Sequence, residues 1–195
     1  MTSLPESCNM ALKEWEGVCD ALQSGRQIVL LRKGGIEEGA GGFEPEQTVF
    51  WLFPTRLHQG EQGLRSDFRT EARKAPTSDG ALRLAALAVA EFVCWIDSEE
   101  LLTHLEPFHV WTRETVLKRF RYRRPGLWLL ATRVFRRFEP WTLTPTSEQL
   151  GCKSWVELET PLPTTGLTPA LDEPEWCSRI ARLRTCLEPE LPTIT

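Results

Sequence analysis

The segment RETVLKRFRYRRPGLWLLATRVFRR, residues 113–137, sets nine Lys or Arg residues against one Glu. A guanidinium offers a planar fork of donors that meets a phosphate bidentately, and rings interleaved with such cations stack on bases. Lys118, Arg121, Arg123 and Arg124 are therefore candidate nucleic-acid contacts, with Arg133 and Arg137 in support. Trp111, Tyr122, Trp128 and Phe135 supply the rings. The competing reading is a solvated face whose cations pair with the chain's own acids. Of 23 Lys and Arg and 27 Asp and Glu in all, 14 cations and 26 acids lie outside the segment, so a local charge of +8 sits in a remainder of −12. The overall charge of −4 conceals a basic island that can steer an anionic or acidic partner.

Other reactive groups assemble less completely. Cys152 in GCKSW follows a glycine that lets the backbone turn sharply and precedes the cation Lys153, and as a catalytic thiol it would need His109 or His58 as its base. Glu157 and Glu159 share one face of a short strand and offer oxygen ligands to a divalent cation. A restriction-type nuclease site needs an acid two positions before a lysine, but Ala11, Leu31, Ala72, Val116 and Gly151 stand there instead. His104 and His109 have no cysteine pair at zinc-site spacing. The loop RKGGIEEGAGG could nest an anion in its backbone N–H groups, yet it matches neither phosphate-loop pattern and carries Glu37 and Glu38. The glutamate-rich helix of a Nudix hydrolase is also missing, with only Glu61 and Glu71 after Pro54. No cofactor motif is present.

The elements that would position these groups follow from periodicity. Leu12, Trp15, Val18, Cys19 and Leu22 fall at helical spacing, with Gly25 as the stop. RQIVLLRK and TVFWLFPT read as two strands of a hairpin joined by the glycine-rich loop. The polar stretch 60–80 is a surface connection. ALRLAALAVAEFVCWID holds a strand in its C-terminal half. SEELLTHL is a short helix capped by Asp97 or Ser98, and RETVLKRFRY a second one capped by Thr112. Pro125-Gly126 turns the chain into the strand LWLLATRVFRRF, with Trp128, Leu130, Val134 and Phe138 on one face and Arg133, Phe135 and Arg137 on the other. KSWVEL is a short strand, EPEWCSRIARLRTCL a closing helix, and residues 189–195 a frayed tail.

The expected fold is thus α+β: a mixed or antiparallel sheet with flanking helices and an N-terminal helix plus β-hairpin subregion. One domain spans 1–195, with subregions 1–59 and 81–188 on either side of the 60–80 connection. Hydrophobic content of 41% with 26% charged residues suits a globular chain. The longest apolar run is broken by Arg83 and Glu91, short of the ~20 residues of a membrane helix. Six scattered cysteines without a C-x-x-C pair, and an N-terminus without a signal-peptide plan, point to the cytoplasm and to neither disulfide nor zinc.

Several strings occur together in order: ALKEW, LLRKGGI, FWLFPT followed by His58-Gln59, HVWT, RFRYR, TRVF and GCKSWVEL. In combination they resemble the bacterial domain-of-unknown-function family 1802 over nearly the whole chain. The resemblance carries over no catalytic residue, since that family has no established activity. The function expected from the residues is a non-catalytic nucleic-acid-binding or nucleic-acid-associated module. The alternatives are an enzyme using Cys152 or a carboxylate site, and an interaction domain whose basic face docks an acidic protein.

Overall fold

The computed structural model describes residues 3–33, 43–55, 63–68 and 81–188. Within them seven strands form one open, mixed sheet flanked by five helices. The chain runs β1 (Ser7–Trp15), α1 (Glu16–Gln23), β2 (Val29–Arg32), β3 (Val49–Thr55), β4 (Leu82–Ile96), α2 (Leu101–Leu105) and α3 (Arg113–Arg121). It continues through β5 (Leu127–Leu143), α4 (Ser147–Leu150), β6 (Trp155–Pro163), β7 (Thr168–Pro169) and α5 (Glu173–Leu187). The spatial order is β2-β5-β4-β3-β1-β6, with β7 added to β5. Only the β1–β3 pair is parallel among these strands.

Two sequence expectations change here. Leu12 and Trp15 belong to a strand, and the helix begins at Glu16. β1 lies between β3 and β6 with Ala11 and Leu12 both fully buried, so apolar residues on successive positions serve opposite faces of a covered sheet. Their coincidence with the helical phase of Val18, Cys19 and Leu22 joins two elements into one apparent helix. The expected hairpin is also absent: β2 pairs with β5, whereas β3 pairs with β1 and β4. The glycine-rich loop between them and the tail 189–195 lie outside the described residues, as does most of the 60–80 connection.

The sheet separates two cores. Leu12, Phe50 and Leu52 face the helices, together with Val18, Leu22, Val116, Phe120, Trp176 and Leu183. Ala11, Trp51 and Phe53 point the other way and pack with Leu84, Leu87, Val156 and Leu158. This alternation is the period-two geometry of a strand buried on both sides. β4 is a strand over its whole length and pairs with β5 as far as Leu82↔Leu143. Around residue 85 the register shifts: Leu84 lies opposite Trp141 and Ala86 opposite Arg136, so residues 137–140 bulge out of β5. The bulge ends the expected alternation and leaves Phe138 wholly exposed. Arg133 and Phe135, expected on a polar face, are buried because β7 and the start of α5 cover that side.

Candidate nucleic-acid interface

α3 is built as its sequence requires. Thr112 has extended backbone and its Oγ1 accepts from the Thr115 amide at 3.3 Å, satisfying one of the donors left free at a helix start. Val116 and Phe120 are buried, which turns Lys118 and Arg121 outward. The last turn then breaks at Tyr122, and Arg123 takes a left-handed φ of 61°, the one non-glycine residue to do so among those described. Gly126 follows at φ 125° with its Cα against the Trp95 indole, where a Cβ would collide. The chain reverses and enters β5.

Lys33, just past the end of β2, holds this corner. Its Nζ donates to the carbonyls of Phe120 at 3.2 Å and Gly126 at 2.5 Å, and also to that of Arg124. One cation thus ties the last turn of the helix, whose Phe120 carbonyl also accepts the Gly126 N–H at 3.1 Å, to two carbonyls of the turn that follows. Burial, and secondly the charge of Arg124, lower the Lys33 pKa. The corner is stacked as well as bonded: Arg123 lies over Tyr122 at 5.2 Å, and Arg124 over Trp95 at 4.8 Å. Trp95 in turn meets Trp128 edge to face at 5.3 Å.

Behind the corner lies a second, more enclosed group of charges. Arg119 is sandwiched between Trp15 at 4.4 Å and Trp111 at 4.7 Å, and it donates a long 3.4 Å bond to the Leu31 carbonyl. Burial lowers its pKa to about 10, with Glu14 opposing and Arg32 adding to that shift. Arg32 pairs with the buried Glu14 at 3.0 Å, donates to Ser154 Oγ at 2.5 Å and lies over Phe43 at 5.1 Å. These groups come from the ends of β1 and β2, the start of β6 and the inner face of α3.

The six candidate cations do not form one patch. Lys118, Arg123 and Arg124 are exposed and have no carboxylate partner among the described residues. Arg121 is exposed but held by Glu99 through two bonds of 3.0 and 2.6 Å, which lowers the Glu99 pKa. Arg133 is buried, engaged with Glu173, and near the rings of Phe135 and Trp176. Arg137 lies in the β5 bulge, where it donates to the carbonyls of Glu139 at 3.1 Å and Thr165 at 2.7 Å and covers Trp141 at 4.3 Å. At ~3.3 Å per strand residue, the run from Leu127 to Arg137 puts it about 30 Å along β5 from the corner. Sequence reasoning misses Lys33 and Arg119; the signal available was Arg32-Lys33 ending an apolar strand beside a glycine run.

The catalytic alternatives gain little from the geometry. His109 is 1% exposed, and its pKa falls to about 3 through burial and the charges of Arg65 and Arg119, so it is a weak base with no access to a solvent-borne substrate. Cys152 is exposed, and the neighbouring Lys153 faces Glu148 at 4.0 Å. Glu157 accepts a bond from Asn9 at 3.0 Å, and no cluster of three or more metal-ligating side chains occurs among the described residues. His58 lies outside them. Among the described residues no helix is long and apolar enough to cross a membrane.

An open α+β sheet with a cationic corner between α3 and β5 defines the class of protein. The family is also defined: the model of the domain of unknown function DUF1802 matches residues 11–182, and the chain belongs to that family. No curated protein matches the sequence. Among solved structures, the chain is similar to ASCH from Zymomonas mobilis at 14% identity and a TM-score of 0.43, over 89% of this chain and 94% of that one. A serine-to-alanine mutant of the same Zymomonas mobilis protein gives 14% identity and a TM-score of 0.44, over 92% of this chain and 99% of that one. At that distance neither activity nor residue roles transfer.

Proposed function

We propose that the protein is a nucleic-acid-binding module that engages backbone phosphates at the α3–β5 corner, with Lys118, Arg123 and Arg124 as the principal contacts. The observation that carries this reading is that these three exposed cations lack a carboxylate partner among the described residues, in a chain with an excess of acid. Arg121 and Arg133, by contrast, are each held by a carboxylate. Of the other candidate cations, Arg121 joins the interface by exchanging Glu99 for phosphate, while Arg133 and Arg137 have structural duties apart from it. The reading is of binding rather than catalysis, in keeping with the enclosed His109.

Phosphate contacts release counterions, so affinity falls linearly with salt on logarithmic axes by about 0.7–0.9 per neutralised phosphate. Three principal contacts with Arg121 as a fourth give a slope of roughly −3. Titration of labelled DNA and RNA oligonucleotides at several ionic strengths measures it. The double variant Arg123→Gln/Arg124→Gln is expected to flatten the slope by about 1.5 with little change in melting temperature. Absence of salt-dependent binding to any oligonucleotide at low ionic strength overturns the reading in favour of an acidic protein partner.

A further inference from the structure

The cations at the corner do not stand free in solvent; they lie on rings. Arg123 covers Tyr122, which is itself 49% exposed, and Arg124 covers Trp95. Both arginines are exposed, and a guanidinium is a planar, weakly hydrated group able to stack on a further ring. The two stacks follow one another in the chain at a turn fixed from below by the Lys33 bonds to Phe120, Arg124 and Gly126. Trp128, packed edge to face on Trp95, supports the second stack.

Arg123 supplies an independent observation. Its φ of 61° is a region that glycine or asparagine enters at lower cost, and for other L-residues carries a penalty. An arginine in that place projects its guanidinium onto Tyr122 rather than relieving the turn. Such outliers cluster at positions where the surroundings impose a geometry that serves a site.

On the reading that this corner binds nucleic acid, we infer that it takes single strands, with unpaired bases stacking on the guanidinium faces of the Arg123–Tyr122 and Arg124–Trp95 platforms while the charged edges of the same two arginines and Lys118 meet the backbone. Phosphate neutralisation alone would not distinguish single strand from duplex. A guanidinium plane backed by a ring adds a surface that only an unpaired base can use, because in a duplex both base faces are already covered. The corner is also preorganised, so little ordering is needed on binding.

Charge-preserving variants separate stacking from charge. Arg123→Lys/Arg124→Lys keeps both positive charges but removes both planes. Wild type is expected to bind a single-stranded oligothymidine more tightly than a duplex of equal length, with quenching of tryptophan fluorescence. The Lys double variant should lose roughly 5- to 150-fold in single-strand affinity for each platform that contributes, at an unchanged salt slope. Tyr122→Leu should show a smaller loss in the same direction, with circular dichroism confirming that each variant is folded. Equal affinity for single strand and duplex, with no loss in the Lys variant, overturns the stacking inference and leaves the phosphate reading intact. Failure of wild type to bind either form at low salt overturns both.

Discussion

Replacing His109 with leucine should remove much of the protein's loss of stability between pH 7.5 and pH 5. The imidazole is 1% exposed, and neither ring nitrogen has a hydrogen-bond partner among the described residues. It lies against Trp111 at 5.6 Å, and Arg65 donates at 2.8 Å to its own backbone carbonyl. Burial first, then the charges of Arg65 and Arg119, depress its pKa from 6.5 to about 3. The fold therefore favours the neutral ring. Its stability contribution is fully present above pH 6.5 and is lost as the pH falls from there towards 3, since the unfolded chain takes up a proton that the folded chain refuses. At pH 5 the loss is that of an interval of about 1.5 below the unfolded pKa, about 2 kcal/mol at roughly 1.36 kcal/mol per pH unit. For a chain of this size that amounts to ~4–8 °C in melting temperature. His109→Leu cannot take up the proton, and it also removes two buried nitrogens without partners, so at pH 7.5 it should be no less stable than wild type by more than ~1 kcal/mol. Thermal melts of both proteins at the two pH values give the difference of differences, in which acid effects of other groups cancel. Wild type and variant losing the same number of degrees between pH 7.5 and 5 would refute the argument.

Two further outcomes test the corner and the thiols. Gly126→Ala would place a Cβ closer than 3.0 Å to three atoms of the Trp95 indole at a φ of 125°, so overpacking and strain together should cost roughly 2–5 kcal/mol; an unchanged melting temperature would contradict the geometry. Without reductant, Cys152 and Cys177 should react with a thiol reagent in the native protein, Cys186 more slowly, and Cys8, Cys19 and Cys94 only on unfolding, for a total of six. Burial pushes the Cys8 and Cys19 thiols up and slows them further. Fewer than six reactive thiols, or stoichiometric zinc in the purified protein, would show that a disulfide or metal had been missed.

What was legible in the sequence is what local physics decides. Thr112 caps α3 as expected, and α3 and α5 both lie where their apolar spacing requires; the α5 cap, Asp172, whose side chain accepts from the Glu175 amide at 2.9 Å, is seen only in the structure. β5 and β6 are likewise found where their branched and aromatic residues indicate. The short helix α2 also lies in its expected place, but it starts after Glu100 without a side-chain cap, so neither Asp97 nor Ser98 has the expected role. The partners of β2 and β3 were not legible, because a strand carries its two faces in its own sequence but not its neighbours. Val29 of β2 pairs with Ala131 of β5, a long-range choice made by the whole sheet. A bulge such as that at residues 137–140 is equally hidden, since it is defined by two strands at once.

The basic island shows the same division at the level of charge. Its composition could be read directly, but its sorting into structural and available cations depends on acids far away in the chain. Glu99 captures Arg121 from 22 positions upstream, and Glu173 captures Arg133 from 40 positions downstream. Exposed pairs such as Arg121–Glu99 hold their partners weakly in water, so capture there is conditional and a polyanion can compete for the arginine. Arg133 is different, for it is buried beneath the start of α5 and its release would require that helix to move. Arg119 is different again: it lies between two indoles, and burial lowers its pKa to about 10 although the charge of Glu14 opposes the shift. Of the exposed charge that remains, Lys118, Arg123 and Arg124 lie at one corner, whose shape is set by Lys33 from another strand, while Arg136 lies well along β5 from it. Adjacent cations repel, and the Lys33 pKa is lowered in part by Arg124, so the corner is a place where the fold tolerates crowded positive charge that an anionic ligand would relieve. On the binding reading proposed above, that relief would be the differential interaction between free and bound states that favours the complex.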